Sequence, residues 1–166
     1  MGRAGRIARG IMVLVSVLLV AACGDSFNDA YCEANNHRNQ QTVEHLTNVL
    51  EQKRNQPGLY LARARCHYFL GAYAQALQDA SEVIRRLPNK AVAYLLRAKA
   101  GKILGQIPQA LQDYSAAIKF QPTAEAHYGR GLTYAREYQG KDREALEDFT
   151  AAIRLDPKHV GAHAFR

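Results

Sequence analysis

The amino-acid sequence predicts an all-α solenoid of antiparallel helix pairs, and three observations carry that prediction. The pattern Ala-Leu-x-Asp is written three times, at Ala76 to Asp79, Ala110 to Asp113 and Ala145 to Asp148. Each copy is followed by an isoleucine eight places after its alanine (Ile84, Ile118, Ile153) and a proline twelve places after it (Pro88, Pro122, Pro157), so the period is 34 residues and then 35. Around each copy the apolar residues recur at helical spacing, as in Ala76, Leu77, Ala80, Val83 and Ile84. A fixed period of that length means stacked units, none of which can bury its apolar side alone. Stacked arrays act through the long surface that stacking creates, so no enzymatic activity is expected.

The chain opens differently. Arg3, Arg6 and Arg9 precede the apolar run Ile11 to Ala22, which is long enough for the core of a secretion signal and too short for a membrane span. The run closes on Leu19-Val20-Ala21-Ala22-Cys23, which resembles the bacterial lipobox. That resemblance implies cleavage between Ala22 and Cys23 and acylation of Cys23, an effectively permanent anchor when more than one chain is attached. The alternative is an ordinary signal peptide cleaved near Ala22, with Cys23 a bystander. Gly24 follows the cysteine and Asp25 stands one place beyond the inner-membrane retention position, so the periplasmic face of an outer membrane is the expected location.

Loss of residues 1–22 takes the formal charge from +7 to +4, because that segment holds three Arg and no acid. A mature chain this mildly basic, with no dense Lys/Arg cluster among aromatics, gives no reason to expect nucleic acid as a partner.

Within each unit a first helix is marked by Tyr60, Arg63 and Ala64, by Tyr94, Arg97 and Ala98, and by His127, Arg130 and Gly131. Gly71, Gly105 and Gly140 fall at the turns into the second helix, where a left-handed conformation suits glycine. Pro108 falls in a first helical turn, and Pro88, Pro122 and Pro157 terminate the pairs.

Helix pairs with this order of small, aromatic and proline columns closely resemble the tetratricopeptide repeat. The resemblance implies a right-handed superhelix, with units at 57–90, 91–123 and 124–159. Extended backward, it makes 23–56 a degenerate first unit, with Ala30 and Cys32 in the small columns and Arg54 where proline is expected. Extended forward, 160–166 begins a further helix, so either the sequence is a fragment or that end is covered by a partner or a second copy.

Arg63 and Asp79 lie 16 apart, Arg97 and Asp113 lie 16 apart, and Arg130 and Asp148 lie 18 apart across a turn expected to be two residues longer. A guanidinium stays protonated and is no general base, so these read as structural ion pairs. The same columns of the first unit hold Asp29 and His45, a reversed pair. Cys32 and Cys66 occupy equivalent columns a helix diameter apart, which argues against a bridge, although the degenerate first unit leaves one open. His159 and His163 sit at i, i+4, but two ligands do not make a metal site, and no cofactor motif occurs.

The resemblance places the first helices on a concave face. Carried over, it lines a groove with Phe27, Tyr31, Leu61, Arg65, Tyr68 and Phe69, continued by Leu95, Lys99, Lys102, Tyr128, Leu132 and Arg136. This aromatic and basic set, without an acid, suits a partner peptide or helix bearing apolar anchors and carboxylates. The expected function is therefore a lipid-anchored scaffold for protein partners in the bacterial envelope. The alternative is a module that binds peptidoglycan or a small ligand in the same groove.

Overall fold

The computed structural model describes residues 36–166, with side chains from residue 39 onward. Eight helices follow one another, with no strand among the described residues: α1 (Asn36–Gln52), α2 (Pro57–Phe69), α3 (Tyr73–Arg86), α4 (Ala91–Ile103), α5 (Ile107–Phe120), α6 (Ala124–Glu137), α7 (Asp142–Leu155) and α8 (Val160–Ala164). The pairs α2/α3, α4/α5 and α6/α7 form three stacked units. The signal segment, Cys23, Phe27, Asp29, Ala30, Tyr31 and Cys32 lie outside the described residues.

Local chemistry accounts for the boundaries. Gly71, Gly105 and Gly140 adopt φ of 77°, 76° and 79°, which an L side chain resists, and each turns the chain from first helix to second. The second helices stop at Arg86, Phe120 and Leu155, two residues before each proline. The intervening residue leaves the helical region: φ is −130° at Leu87, −154° at Gln121 and −136° at Asp156. Thr123 caps α6 by accepting from the Ala126 backbone N–H at 3.2 Å.

One expectation is corrected. The extra residues between Arg130 and Asp148 do not all enter the turn. One lengthens α6 to 14 residues, against 13 in α2 and α4, and the other lengthens the turn. In the first unit the glycine column holds His37, which lies inside α1. The helix still ends in register at Gln52, although Arg54 replaces the proline.

The core runs as a file of small residues between helices. Ala64, Ala76, Ala80, Ala93, Ala98 and Ala126 are all fully buried, which lets backbones approach closely. Tyr114 and Phe149 fill the remaining volume at 1% and 2% exposure. Leu46 and Leu50 of α1 pack on Leu59 and Ala62 of α2, extending the core toward the amino terminus. The first helices of successive units (α2 with α4, α4 with α6) touch one another, whereas the second helices make less contact. The array therefore curves with its first helices on the inside. No described helix is long and apolar enough to cross a membrane.

Candidate partner-binding groove and its arginine ladder

On that inner side one hollow opens between α2, α4 and the first turn of α6. Arg65, Tyr68, Phe69, Leu95 and Lys99 meet there with Val92, Leu96 and Glu125. Its volume is about 110 Å³, well under the ~300–1,000 Å³ of drug-sized ligand sites, so it fits one side chain of a partner. Tyr68 meets Phe69 and Tyr73 edge-on at 5.7 and 5.5 Å between ring centres, which stiffens the aromatic wall.

The rest of the expected groove divides. Leu61 and Leu132 are 6% and 9% exposed, so they belong to the core and are not open surface. Arg65 borders the hollow although it is only 3% exposed. Tyr128 packs toward the carboxyl-terminal end, with its ring 5.9 Å from Phe149 and 4.7 Å from His159. Burial, then the like charges of Arg136 and Lys99, hold the Lys102 ammonium below the usual lysine range. Phe27 and Tyr31 lie outside the described residues. The groove is also not free of acids: Glu125 Oε1 accepts from Lys99 Nζ at 2.7 Å, and the same ammonium sits 5.0 Å above the Tyr68 ring. Glu125 lies one helical turn before Tyr128, on the column that holds Val92, one turn outside the columns that the resemblance assigns to the groove.

Behind the groove runs a ladder. Arg63 donates from Nε and Nη2 to Asp79 at 2.8 Å each, Arg97 to Asp113 at 2.8 and 2.7 Å, and Arg130 to Asp148 at 2.8 and 2.9 Å. These bidentate pairs join the two helices of each unit, and their carboxylates are 2–5% exposed. The third nitrogen of each arginine reaches the unit before: Nη1 donates to Thr47 at 3.1 Å, Ser81 at 3.3 Å and Ser115 at 3.0 Å. Sequence reasoning missed this hydroxyl column, whose signal is a Ser or Thr 16, 16 and 15 residues before the arginine. Hydrogen bonding to the aspartate outweighs burial and raises all three arginines above their usual value.

Histidines join the ladder. His127 Nδ1 lies 2.8 Å from Asp148 Oδ1. Burial pushes the Asp148 carboxyl up, but the bonds from His127 and Arg130 together outweigh it and leave the group below the usual carboxylate range. His67 Nε2 stands 4.0 Å from Asp79, and burial is the largest influence on it, lowering its pKa despite that neighbour. His159 and His163 are engaged in α8 itself, the first capping its start at 3.1 Å from the Ala162 N–H and the second 3.0 Å from the Pro157 carbonyl. Among the described residues no three His, Cys, Asp or Glu side chains are grouped to hold a metal ion. Cys66 is buried.

These helix pairs, their left-handed glycine turns and their inner hollow define a helix-pair solenoid of the tetratricopeptide kind. The comparisons with known proteins agree: residues 102–137 match the family model for the TPR repeat, and residues 124–159 match that for the tetratricopeptide repeat. Among solved structures, a fragment of MamA from Desulfovibrio magneticus RS-1 is 23% identical, with a TM-score of 0.69 over 76% of this chain and 71% of that one. The TPR domain of Arabidopsis OM64 is 24% identical, with a TM-score of 0.62 over 66% and 89%. The first TPR of Spaghetti (RPAP3), solved with a bound HSP90 peptide, is 20% identical, with a TM-score of 0.61 over 65% and 85%. At such identities the likeness shows the fold. No curated protein matches the chain by sequence.

Proposed function

We propose that this chain is a non-catalytic scaffold of the bacterial cell envelope, held by lipid on Cys23 and recruiting a protein partner through the hollow between α2, α4 and α6. The observation that carries the reading is the convergence of Tyr68, Phe69, Leu95 and Lys99 from two successive first helices on one space the size of a side chain. Apolar walls with a cation at the rim suit a partner segment that inserts one apolar side chain beside a carboxylate. The basic, apolar and lipobox-like order of residues 3–23 supports export and anchoring, and the residues after Cys23 favour the outer membrane.

A crosslinked pull-down from envelope membranes tests the reading, comparing the wild type with Lys99→Glu. Lys99 is partly exposed, so the variant should keep its helical circular dichroism. Partners lost only from the variant support recruitment at the hollow. Retention of every partner removes the hollow from the proposal, and capture of purified murein in place of protein replaces the scaffold with a peptidoglycan-binding module. Release of a Cys23→Ser variant from the membrane fraction is expected, and its retention there would overturn the anchor.

A further inference from the structure

A second cavity lies between the second helices α3 and α5, over α4, and is lined by different residues from the inner hollow. Leu77 and Ala110 give it apolar walls, while Ser81, Arg97, Gln106 and Asp113 bring polar groups to its rim and floor. Its volume is about 200 Å³. An apolar cavity of ~150 Å³ already accepts a benzene ring, so there is room here for one aromatic ring and a polar substituent.

Comparison of the units explains the opening. The residue four places after each ladder arginine is His67 in α2, Gly101 in α4 and Tyr134 in α6. His67 fills its place with an imidazole, which is 15% exposed and has Nε2 4.0 Å from Asp79. Tyr134 fills its place with a phenol, packed against the buried cluster of Leu132, Ala145 and Phe149. The hydroxyl end of that ring acts on the charges of Arg130 and Lys141, whose counterparts in the middle unit are Arg97 and Gln106. Gly101 offers no side chain, and a methyl built on it would stand in ordinary contact with Gln106 at 3.8 Å. The rung beside the cavity is complete in itself: Asp113 accepts two bonds from Arg97 and one from Gln109 Nε2 at 3.2 Å. With those charges already paired, a neutral occupant suits the cavity better than an ion.

We propose that this cavity binds a neutral phenol. The ring lies over Gly101 in the place that the Tyr134 ring takes in its own unit, and the hydroxyl bonds to the side-chain amide of Gln106, in the column of Lys141. The phenol arrives either as a free small molecule or as the tyrosine side chain of a partner protein. The repeat itself supplies the template: two units carry a planar ring with a polar edge at this position, and the unit between them leaves the space open.

The test titrates the purified protein with 4-methylphenol, the tyrosine side chain as a free molecule, and follows the backbone amides by two-dimensional NMR. Saturable shifts centred on residues 101–113 are expected, with a Kd on the order of 1–10 mM for a ligand of this size. Toluene, the same ring without the hydroxyl, should bind about fivefold more weakly, the scale of one hydrogen bond. Gln106 is exposed, so Gln106→Leu keeps the fold; it should lower the affinity for 4-methylphenol by the same factor and leave toluene unaffected. Gly101→Tyr supplies the missing ring from within the chain and should abolish the shifts. N-acetyltyrosinamide separates the two sources: binding as tight as that of 4-methylphenol assigns the cavity to a partner's tyrosine, and its exclusion assigns the cavity to a free phenol. Absence of saturable shifts would leave the cavity to water and overturn the proposal. Equal affinities for toluene and 4-methylphenol, or shifts that persist in a folded Gly101→Tyr variant, would overturn it as well.

Discussion

Gly129→Ala sets two known effects against each other at a site where geometry decides the sign. In an exposed helix the change is favourable by up to about 1 kcal/mol, because alanine restricts the unfolded chain and suits the helix. Here a methyl built on Gly129 would stand 2.6 Å from Tyr114 Cε1, 2.8 Å from Cζ and 3.0 Å from the hydroxyl oxygen. Tyr114 has no room to retreat, since it is only 1% exposed. Overpacking a full core costs roughly 1–3 kcal/mol, so the net effect is a loss of about 1–2 kcal/mol. For a domain of this size that lowers Tm by about 3–6 °C. Urea and thermal denaturation followed by circular dichroism measure it, with two controls. Gly58 has nothing within 4 Å of its added methyl, so Gly58→Ala should stabilise the fold. In a Tyr114→Leu background, which shortens the obstructing side chain, Gly129→Ala should cost little or become favourable. A gain in stability from Gly129→Ala in the wild-type background would refute the packing argument.

The ladder and the histidine beside it make further expectations. Asp113→Ala strands the Arg97 guanidinium and should cost about 3 kcal/mol by urea denaturation, with part of the loss recovered in the double variant with Arg97→Met. Because burial lowers the pKa of His67 on folding, the neutral form is the one the fold favours. Its contribution is fully present above the unfolded value of about 6.5 and is lost as pH falls through the lower folded value. Tm should therefore drop more steeply below about pH 6.5 in the wild type than in His67→Gln, and parallel curves would refute the assignment. Burial and the repulsion of Arg136 and Lys99 disfavour the charged form of Lys102. Lys102→Met should raise stability by roughly 0.5 kcal/mol, an effect that shrinks in high salt.

The units were legible because their punctuation is local. A glycine that must turn left-handed and a proline that forbids helix before it are readable one residue at a time, and the structure places helix ends by them. The alanine columns were legible because burial between two helices leaves room for little else. Facing directions were harder to read. Leu61 and Leu132 belong to the same helical face as Leu95, yet Leu61 packs with Val83, Ala93 and Leu96 and Leu132 with Ala145 and Phe149, which leaves Leu95 at the hollow. Glu125 lies one turn earlier on that face, and only the approach of α6 to α4 brings its carboxylate to Lys99. Thr47, Ser81 and Ser115 carry no hydrophobic signal, and their role emerges only when the arginine between two units is seen to have a nitrogen to spare.

That third nitrogen bears on how the array yields to force. Inside a unit the arginine grips its carboxylate through two parallel bonds of 2.7–2.9 Å, while across the junction it offers one bond of 3.0–3.3 Å to a hydroxyl. The polar grip is therefore stronger inside each helix pair than between pairs, and a pull on the two ends is expected to open the junctions before it parts any helix pair. The hollow spans two such junctions, α3 to α4 and α5 to α6, so its shape depends on how three successive units sit on one another.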